Sequence, residues 1–158
     1  MWVLFLCLER GEMMPEIRNM KALEDYLQKH INSALQDEVT SDVKVYMSDV
    51  IQSVVYDAYT PKMYIRRGAY GGLGDQNNIT GTLVSDGQLE IANEAPFNGA
   101  NPYKDTLTEV IVTGEGYNYD PGIGPRDFIQ ATKDVLANTK AHVDALKNGM
   151  KKRGFDVK

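Results

Sequence analysis

The sequence predicts an α+β fold in which two N-terminal helices precede a small antiparallel sheet with a β-hairpin, and a long C-terminal helix packs on that sheet. Apolar residues recur at three- and four-residue steps near both ends of the chain, as in amphipathic helices. The middle of the chain instead contains short alternating stretches separated by glycine-rich turns. With 158 residues, of which 42% are hydrophobic, the chain is long enough for a core. We therefore predict a single α+β domain over residues 13–158.

The first twelve residues stand apart from this domain. Residues 1–8 are nearly all apolar, but a helix that crosses a bilayer needs about 20 residues. No basic segment and no small-residue cleavage site mark a signal peptide. Residues 9–12 can be encoded by a purine-rich run of the kind that binds bacterial ribosomes, and Met13 and Met14 follow at once. We expect residues 1–12 to be a non-native or disordered extension, the alternative being a short apolar strand or frayed tail.

Two helices are predicted before the sheet. The first covers residues 19–35 with Asn19 as its N-cap, and the second begins at Ser41 or Asp42, which are both good capping residues. Pro61 ends the second helix, because the residue before a proline is biased away from helical geometry. Each predicted helix has one apolar face. The residues of that face are Met20, Leu23, Leu27, Ile31, Ala34 and Leu35 in the first helix, and Val43, Met47, Val50, Ile51, Val54, Val55 and Ala58 in the second.

The middle of the chain reads as strands and loops. Residues 63–67 predict a short strand, and the glycines of residues 68–78 predict a mobile loop. Residues 79–84 and 88–92 flank Asp86-Gly87, a dipeptide typical of a type I′ hairpin turn. That two-residue turn predicts pairing of Val84 with Leu89 and of Thr82 with Ile91, on the face that looks into the core.

The C-terminal part begins with an ambiguous element. Residues 106–112 suit either a short helix capped by Asp105 or a strand, and we favour the helix. A second long loop covers residues 114–124. Pro125 then suits the first turn of a helix that runs almost to the C-terminus, and Phe128 is its candidate core anchor. The stripe of this helix consists of Phe128, Ile129, Thr132, Val135, Leu136, Thr139, Val143, Leu146 and Met150.

The sequence offers little catalytic chemistry. His30 and His142 stand alone on predicted helices, and the single cysteine, Cys7, is typical of an inert buried thiol. We therefore predict no catalytic residue, no metal site and no cofactor. The net charge of −5 disfavours wrapping of nucleic acid. The carboxylates of Asp86, Glu90 and Glu94 suit either acid–base work with a divalent metal or the solvated charges of a sheet edge, which we favour.

Aromatic and cationic residues are densest between the second helix and the hairpin. The candidate interface residues there are Tyr59, Tyr64, Arg66, Arg67 and Tyr70. Such residues serve as stacking platforms for single strands and as anchors of protein interfaces, and the acidic composition favours the protein interface. Arg126, a further candidate, lies at a predicted helix start and suits an anion site. Pairing with a carboxylate or a backbone carbonyl is the interpretation that we favour.

Two stretches carry a resemblance to a known group of proteins. Residues 54–67, Val-Val-Tyr-Asp-Ala-Tyr-Thr-Pro-Lys-Met-Tyr-Ile-Arg-Arg, followed by Gly71-Gly72-Leu73, form the first stretch. The second comprises residues 107–119 and Pro125-Arg126-Asp127-Phe128. Over residues 17–158 the chain resembles the head–tail joining, or tail-completion, family of long-tailed bacteriophages and prophages, also described as minor capsid or minor tail components. Members of that family often have Arg-Pro-Phe where this chain has Arg-Asp-Phe.

This resemblance implies a non-enzymatic structural protein of the virion. Such proteins lie in the phage neck between the capsid connector and the tail tube, so the implied partners are connector and tail-tube proteins and further copies in a ring. The implied location is the virion, and the host bacterial cytoplasm during assembly. No sequence-specific nucleic acid and no membrane are expected as partners. Two other readings stay open: a small metal-dependent hydrolase or nuclease, and a host-encoded binding module unrelated to phages.

Overall fold

The computed structural model describes residues 17, 19–60, 65, 67, 70–96, 106–115 and 124–158. It confirms the predicted α+β class, with helices, a two-stranded antiparallel hairpin and a helical C-terminal region. The predicted extension over residues 1–12 lies outside the described residues. The elements are helix α1 (Met20–Ala34), a first π-helical segment (Leu35–Val39), α2 (Thr40–Val50), a second π-helical segment (Ile51–Tyr56), a 3-10 turn (Gln76–Asn78), strands β1 (Ile79–Ser85) and β2 (Gln88–Asn93), and helices α3 (Leu107–Thr113), α4 (Phe128–Thr139) and α5 (Ala141–Lys152).

The two predicted N-terminal helices are one continuous helix. Asn19 caps it as predicted, because its side-chain oxygen accepts a hydrogen bond from the backbone N–H of Ala22 at 2.9 Å. The predicted second start at Ser41 or Asp42 is wrong, since Leu35, Val39 and Thr40 keep right-handed helical dihedrals through the first π segment. The helix then continues through the second π segment, and Asp57 is its C-cap.

The apolar pattern explains why this helix contains π segments. Large apolar residues occur at every fourth position from residue 31 to residue 55. Each step of four overshoots one α-helical turn of 3.6 residues by about 40°. A regular α-helix would therefore rotate the later positions away from the core, whereas each π segment inserts an extra residue and takes up the drift. The members of this run are Ile31, Leu35, Val39, Val43, Met47, Ile51 and Val55, and the last five are buried.

The first π segment is fixed by the end of the chain. The guanidinium of Arg153 donates to the Glu38 carboxylate at 2.7 Å, to the Asp37 carboxylate at 2.6 Å and to Ser33 Oγ at 3.0 Å. It also donates to the carbonyl of Gly149 in its own helix at 2.8 Å. Because charge-assisted hydrogen bonds of this kind are stronger than neutral ones, Arg153 holds α5 against the widened turn of the long helix.

The hairpin has the predicted turn but a different register. Ser85 pairs with Gln88 across Asp86-Gly87, as a two-residue turn requires, and a bulge then shifts the ladder by one residue. Of the two turn residues only Gly87 has a positive φ, at 74°, so the predicted type I′ turn is wrong, and turns of types I and II splay the strands. The predicted pairs Val84–Leu89 and Thr82–Ile91 are consequently wrong: Leu83 pairs with Leu89, Gly81 pairs with Ile91, and Thr82 and Val84 are exposed.

Helix α3 confirms the predicted short helix at residues 106–112. Its N-cap is Thr106, whose hydroxyl accepts from the backbone N–H of Glu109, whereas Asp105 lies outside the described residues. The predicted C-terminal helix starts later than expected, with Asp127 as N-cap and Pro125 ahead of the helix. It is also broken at Lys140, which has a left-handed φ of 59°. After the break the inward face shifts to Ala141, Ala145, Gly149 and Met150, so the predicted inward position of Val143 is wrong.

The break lets each half of the C-terminal region follow a different part of the long helix. Helix α4 packs on α2 and the second π segment, and α5 packs on α1 and the first π segment. Phe128, fully buried, joins the larger apolar cluster with Ile51 and Ile79. Val39, Val43 and Ala145 form a smaller cluster between the long helix and α5. Among the described helices, none combines the length and apolarity that crossing a membrane requires.

Candidate interaction surface

A compact turn over residues 70–78 is bonded to the second half of the long helix. The N–H of Gly74 donates to the Tyr56 hydroxyl at 2.9 Å, and the Ser48 hydroxyl donates to the carbonyl of Gly74 at 2.9 Å. Leu73 is 1% exposed, and its carbonyl accepts from the Asn93 amide at 2.8 Å. The sequence predicted a mobile loop here, but the structure shows a turn whose central residues, Leu73 and Gly74, are hydrogen-bonded to the hairpin and to the long helix.

Asp75 organises the interior of this turn. Its carboxylate accepts from the backbone N–H of Gly71 at 2.6 Å and from that of Asn77 at 2.9 Å. These two donors stabilise the charged form and lower the pKa of the Asp75 carboxyl below its ordinary value of 3.8. The Asn78 amide donates to the carbonyl of Gly72 at 2.8 Å. The turn is therefore closed by its own side chains and gives the preceding segment a fixed support.

Two large side chains ahead of this turn are almost fully exposed. Ile65 is 96% exposed and Tyr70 is 90% exposed, the two highest values among the exposed large hydrophobic side chains. Arg67 lies between them, and its guanidinium donates to the carbonyl of Pro96 at 2.9 Å. The Tyr70 N–H donates to the carbonyl of Arg67 at 3.0 Å. Ile65 and Tyr70 thus expose two large side chains to solvent on either side of Arg67, whose guanidinium is bonded to Pro96.

The other predicted interface residues have different environments. Tyr64 and Arg66 lie outside the described residues, as does most of the predicted strand over residues 63–67; Ile65 and Arg67 are not in a strand. Tyr59 is half-buried at the end of the long helix. Ile65 was not among the predicted interface residues, because an isoleucine within a predicted strand is not expected to be exposed.

Arg126 lies where the long helix, α3 and α4 meet. Its guanidinium donates to the carbonyl of Val55 at 3.2 Å, and its backbone N–H donates to the carbonyl of Ile111 at 2.9 Å. The favoured pairing with a backbone carbonyl is thus what the structure shows. Arg126 ties the end of the long helix to α3 and to the start of α4, and it does not share the exposed segment of Ile65 and Tyr70.

The carboxylates considered for acid–base chemistry are separated by the hairpin. Asp86 lies in the turn, where it accepts from the Asn32 amide at 2.9 Å. Glu90 is exposed in β2, and Glu94 follows the far end of that strand. A strand rises about 3.4 Å per residue, so Asp86 and Glu94 lie about 20 Å apart and do not share one metal ion. The part of the chain that the structure describes holds no cluster of three or more potential metal-ligating His, Cys, Asp or Glu side chains.

The two histidines lie in separate places. The His30 ring packs on Tyr26, with ring centroids 4.5 Å apart, and on Phe155, at 5.2 Å. His142 lies in α5 and is partly buried. The first histidine therefore helps to hold the C-terminal tail on α1, and no shared histidine site is formed.

Comparison with known proteins gives one positive result. No curated protein and no solved structure matches the chain. One family, described as YomN, matches residues 19–152, which include every described helix and strand. The name YomN belongs to an SPβ-like prophage of Bacillus, so the match supports a phage origin. The chain is therefore a member of the YomN family, a family associated with phages and prophages.

Proposed function

We propose that this chain is a structural protein of the phage neck, which joins the capsid connector to the tail tube or completes the tail. Membership in a phage-associated family supports a role in the phage life cycle. It also weighs against the alternative of a host-encoded module unrelated to phages.

The observation that carries the proposal is the exposed pair Ile65 and Tyr70, which precedes the hydrogen-bonded turn of residues 70–78. Large apolar side chains that protrude from a fixed segment are typical anchors of protein–protein contacts. Arg67 lies between them and supplies a planar donor group, a residue type enriched at the centre of such contacts. We propose that a connector or tail-tube protein covers this segment, and that further copies of the chain complete a ring.

The alternative of a metal-dependent hydrolase or nuclease has less support. Asp86 and Glu94 lie at opposite ends of β2, and the Asp86 carboxylate is bonded to Asn32. A metal site needs ligands that converge within bonding distance of one ion. We therefore rank the structural role first.

The test is genetic complementation in a phage or inducible prophage that encodes this chain. Deletion should yield filled heads and complete tails that remain unjoined in negative-stain images, and the wild-type gene should restore whole virions. A gene with Ile65→Asp and Tyr70→Asp should fail to restore them. A gene with Val84→Asp is the matched control, because Val84 is an exposed apolar residue at the distant hairpin turn.

The outcomes separate the possibilities clearly. Infectious virions formed without the chain would overturn the proposal. So would normal joining by the Ile65→Asp, Tyr70→Asp variant, since the proposed contact would then be dispensable. Mass spectrometry of purified virions gives an independent readout, because a neck protein stays in the particle whereas an assembly factor or enzyme does not need to.

A further inference from the structure

Helices α2 and α5 each carry an outward stripe with the same sequence spacing and opposite charge, and the first member of the second stripe, Lys140, is the left-handed N-cap just ahead of α5. In α2 the stripe consists of Asp42, Val45 and Asp49, and at the start of α5 it consists of Lys140, Val143 and Lys147. Both stripes follow the spacing i, i+3, i+7. Residues at this spacing lie on one face of a helix, with the two charges about 10 Å apart.

Both stripes are on the surface. The two aspartates and Lys140 are exposed, and Lys147 is half-buried. The central residue of each stripe is an exposed valine. Val45 is 45% exposed and Val143 is 37% exposed. Within the part of the chain that the structure describes, none of the four charged side chains forms a hydrogen bond or an ion pair.

The two stripes point away from each other. Val43 in α2 and Ala145 in α5 meet in the smaller apolar cluster. Each stripe lies on the far side of its helix from that cluster. Val43 is two positions before Val45, and Ala145 is two positions after Val143, and a step of two positions is about 200° around a helix. One copy of the chain therefore carries an acidic stripe on one side and a basic stripe on the other.

We propose that the acidic stripe of one copy binds the basic stripe of the next copy. The two valines meet at the centre, and each aspartate faces a lysine, since the two charges of each stripe are separated by the same number of residues, with Val45 or Val143 between them. Asp144 borders the basic stripe, and Lys151 extends that stripe by one turn and keeps it positive overall. Because the two partner surfaces differ, the contact is heterologous, and repeated contacts produce a closed ring or an open filament. This inference does not depend on the neck function.

The contact is small. It involves about two helical turns from each copy, which is less than the roughly 1,200 Å² of buried surface in a stable complex. Exposed charge pairs are also screened by salt. We therefore expect association at high protein concentration and low ionic strength, and its loss as salt is raised.

Sedimentation velocity of charge-reversed variants tests the pairing. Asp42→Lys with Asp49→Lys makes both stripes basic, whereas Lys140→Asp with Lys147→Glu makes both acidic. Aspartate is used at residue 140 because it tolerates the left-handed φ of 59° there. Each variant alone should lose at least about tenfold in association constant, and an equimolar mixture should regain association because each variant complements the other.

The matched control reverses two exposed acidic residues away from the stripe, with Glu24→Lys and Asp25→Lys. It changes the net charge by the same amount as the α2 variant and should associate like the wild type. A wild-type chain that stays monomeric at millimolar concentration in low salt would overturn the inference. Reversed variants that associate normally, or a mixture that does not regain association, would also overturn it.

Disulfide trapping gives a second test that does not rely on charge. In a Cys7→Ser background, Val45→Cys and Val143→Cys are made separately and mixed under oxidising conditions. A covalent dimer is expected in the mixture and not in either variant alone. Efficient self-crosslinking of the Val45→Cys variant would indicate a two-fold contact and would contradict the heterologous arrangement.

Discussion

The close approach of Gly81 in the hairpin to Thr40 in the long helix predicts an unusual effect of Gly81→Ala. A methyl group added at Gly81 would lie 2.6 Å from Thr40 Cγ2, closer still to Thr40 Oγ1, and 3.1 Å from Thr40 Cβ. In an ordinary strand, alanine is more stable than glycine by about 0.5–1 kcal/mol. Here the overpacking cost of about 1–3 kcal/mol outweighs that gain. We expect Gly81→Ala to lower the free energy of unfolding by about 1–2 kcal/mol.

Thr40 determines the size of this effect. Its hydroxyl donates to the carbonyl of Leu35 at 3.1 Å, so Thr40→Ala alone should cost about 1 kcal/mol. Thr40→Ala also removes two of the three atoms that the new methyl group would meet. The Gly81→Ala change should then cost almost nothing in the Thr40→Ala background, which gives a favourable coupling of about 1 kcal/mol or more in a double-mutant cycle.

Urea denaturation of the four proteins measures the cycle. Gly124→Ala is the control, because no atom lies within 4 Å of the added methyl group and the φ of Gly124 is not positive. That control should be neutral or slightly stabilising. The reasoning is refuted if Gly81→Ala is as stable as the wild type, or if its cost is the same with threonine and with alanine at residue 40.

Four further predictions concern single sites. Phe128→Ala should lower the free energy of unfolding by about 3–5 kcal/mol in urea denaturation, because Phe128 is fully buried. Arg153→Met should cost about 2–3 kcal/mol, since it leaves the partly buried Glu38 carboxylate without its closest donor. Lys152→Met, which removes the longer contact of an exposed lysine with the same carboxylate at 3.6 Å, should cost less than about 0.5 kcal/mol. The pKa of the Asp75 carboxyl is lower in the folded than in the unfolded protein, so the carboxylate stabilises the folded protein above about pH 4, and this stabilisation is lost as the pH falls further. The melting temperature of Asp75→Asn should therefore fall less between pH 5 and pH 2 than that of the wild type. Lys140→Gly should stabilise the dilute protein by about 0.5–1 kcal/mol in thermal denaturation, because glycine adopts the left-handed φ of 59° without strain.

Local signals in the sequence identified some element boundaries and misplaced others. Asn19 was predicted correctly as a cap: its own backbone is extended, and its side chain accepts from the N–H of Ala22 in the first helical turn. Ser41 and Asp42 have the same capping chemistry but lie inside a continuous helix. Arg153, far away in the sequence, binds the widened turn just before them. Such long-range stabilisation overrides local propensity, although the run of apolar residues at every fourth position was a visible sign of the π segments.

The hairpin and the C-terminal helix show how one residue changes a prediction. The position of the turn at Asp86-Gly87 was predicted correctly and its type was not, and the bulge beside it moved Leu83 to the face of Leu89 and Ile91. A single left-handed residue, Lys140, likewise divided the predicted long helix. An apolar stripe predicts which face of a helix is buried on average. It does not predict a break within the helix, because the break depends on how the two halves pack against the rest of the protein.

The candidate surfaces could not be predicted from the sequence, because the exposure of a side chain depends on the tertiary structure around it. The sequence placed Val143 on the inward stripe, yet the break at Lys140 turns it outward. Ile65 and Tyr70 are 96% and 90% exposed, although both belong to residue types that are usually at least partly buried. The two proposed surfaces are separate, and their variants should therefore have separable effects. Loss of the exposed pair should abolish joining while self-association persists, whereas reversal of one charged stripe should abolish both, if a ring is the form that binds the connector or the tail. A stripe variant that cannot self-associate and still joins heads to tails would show that single copies suffice.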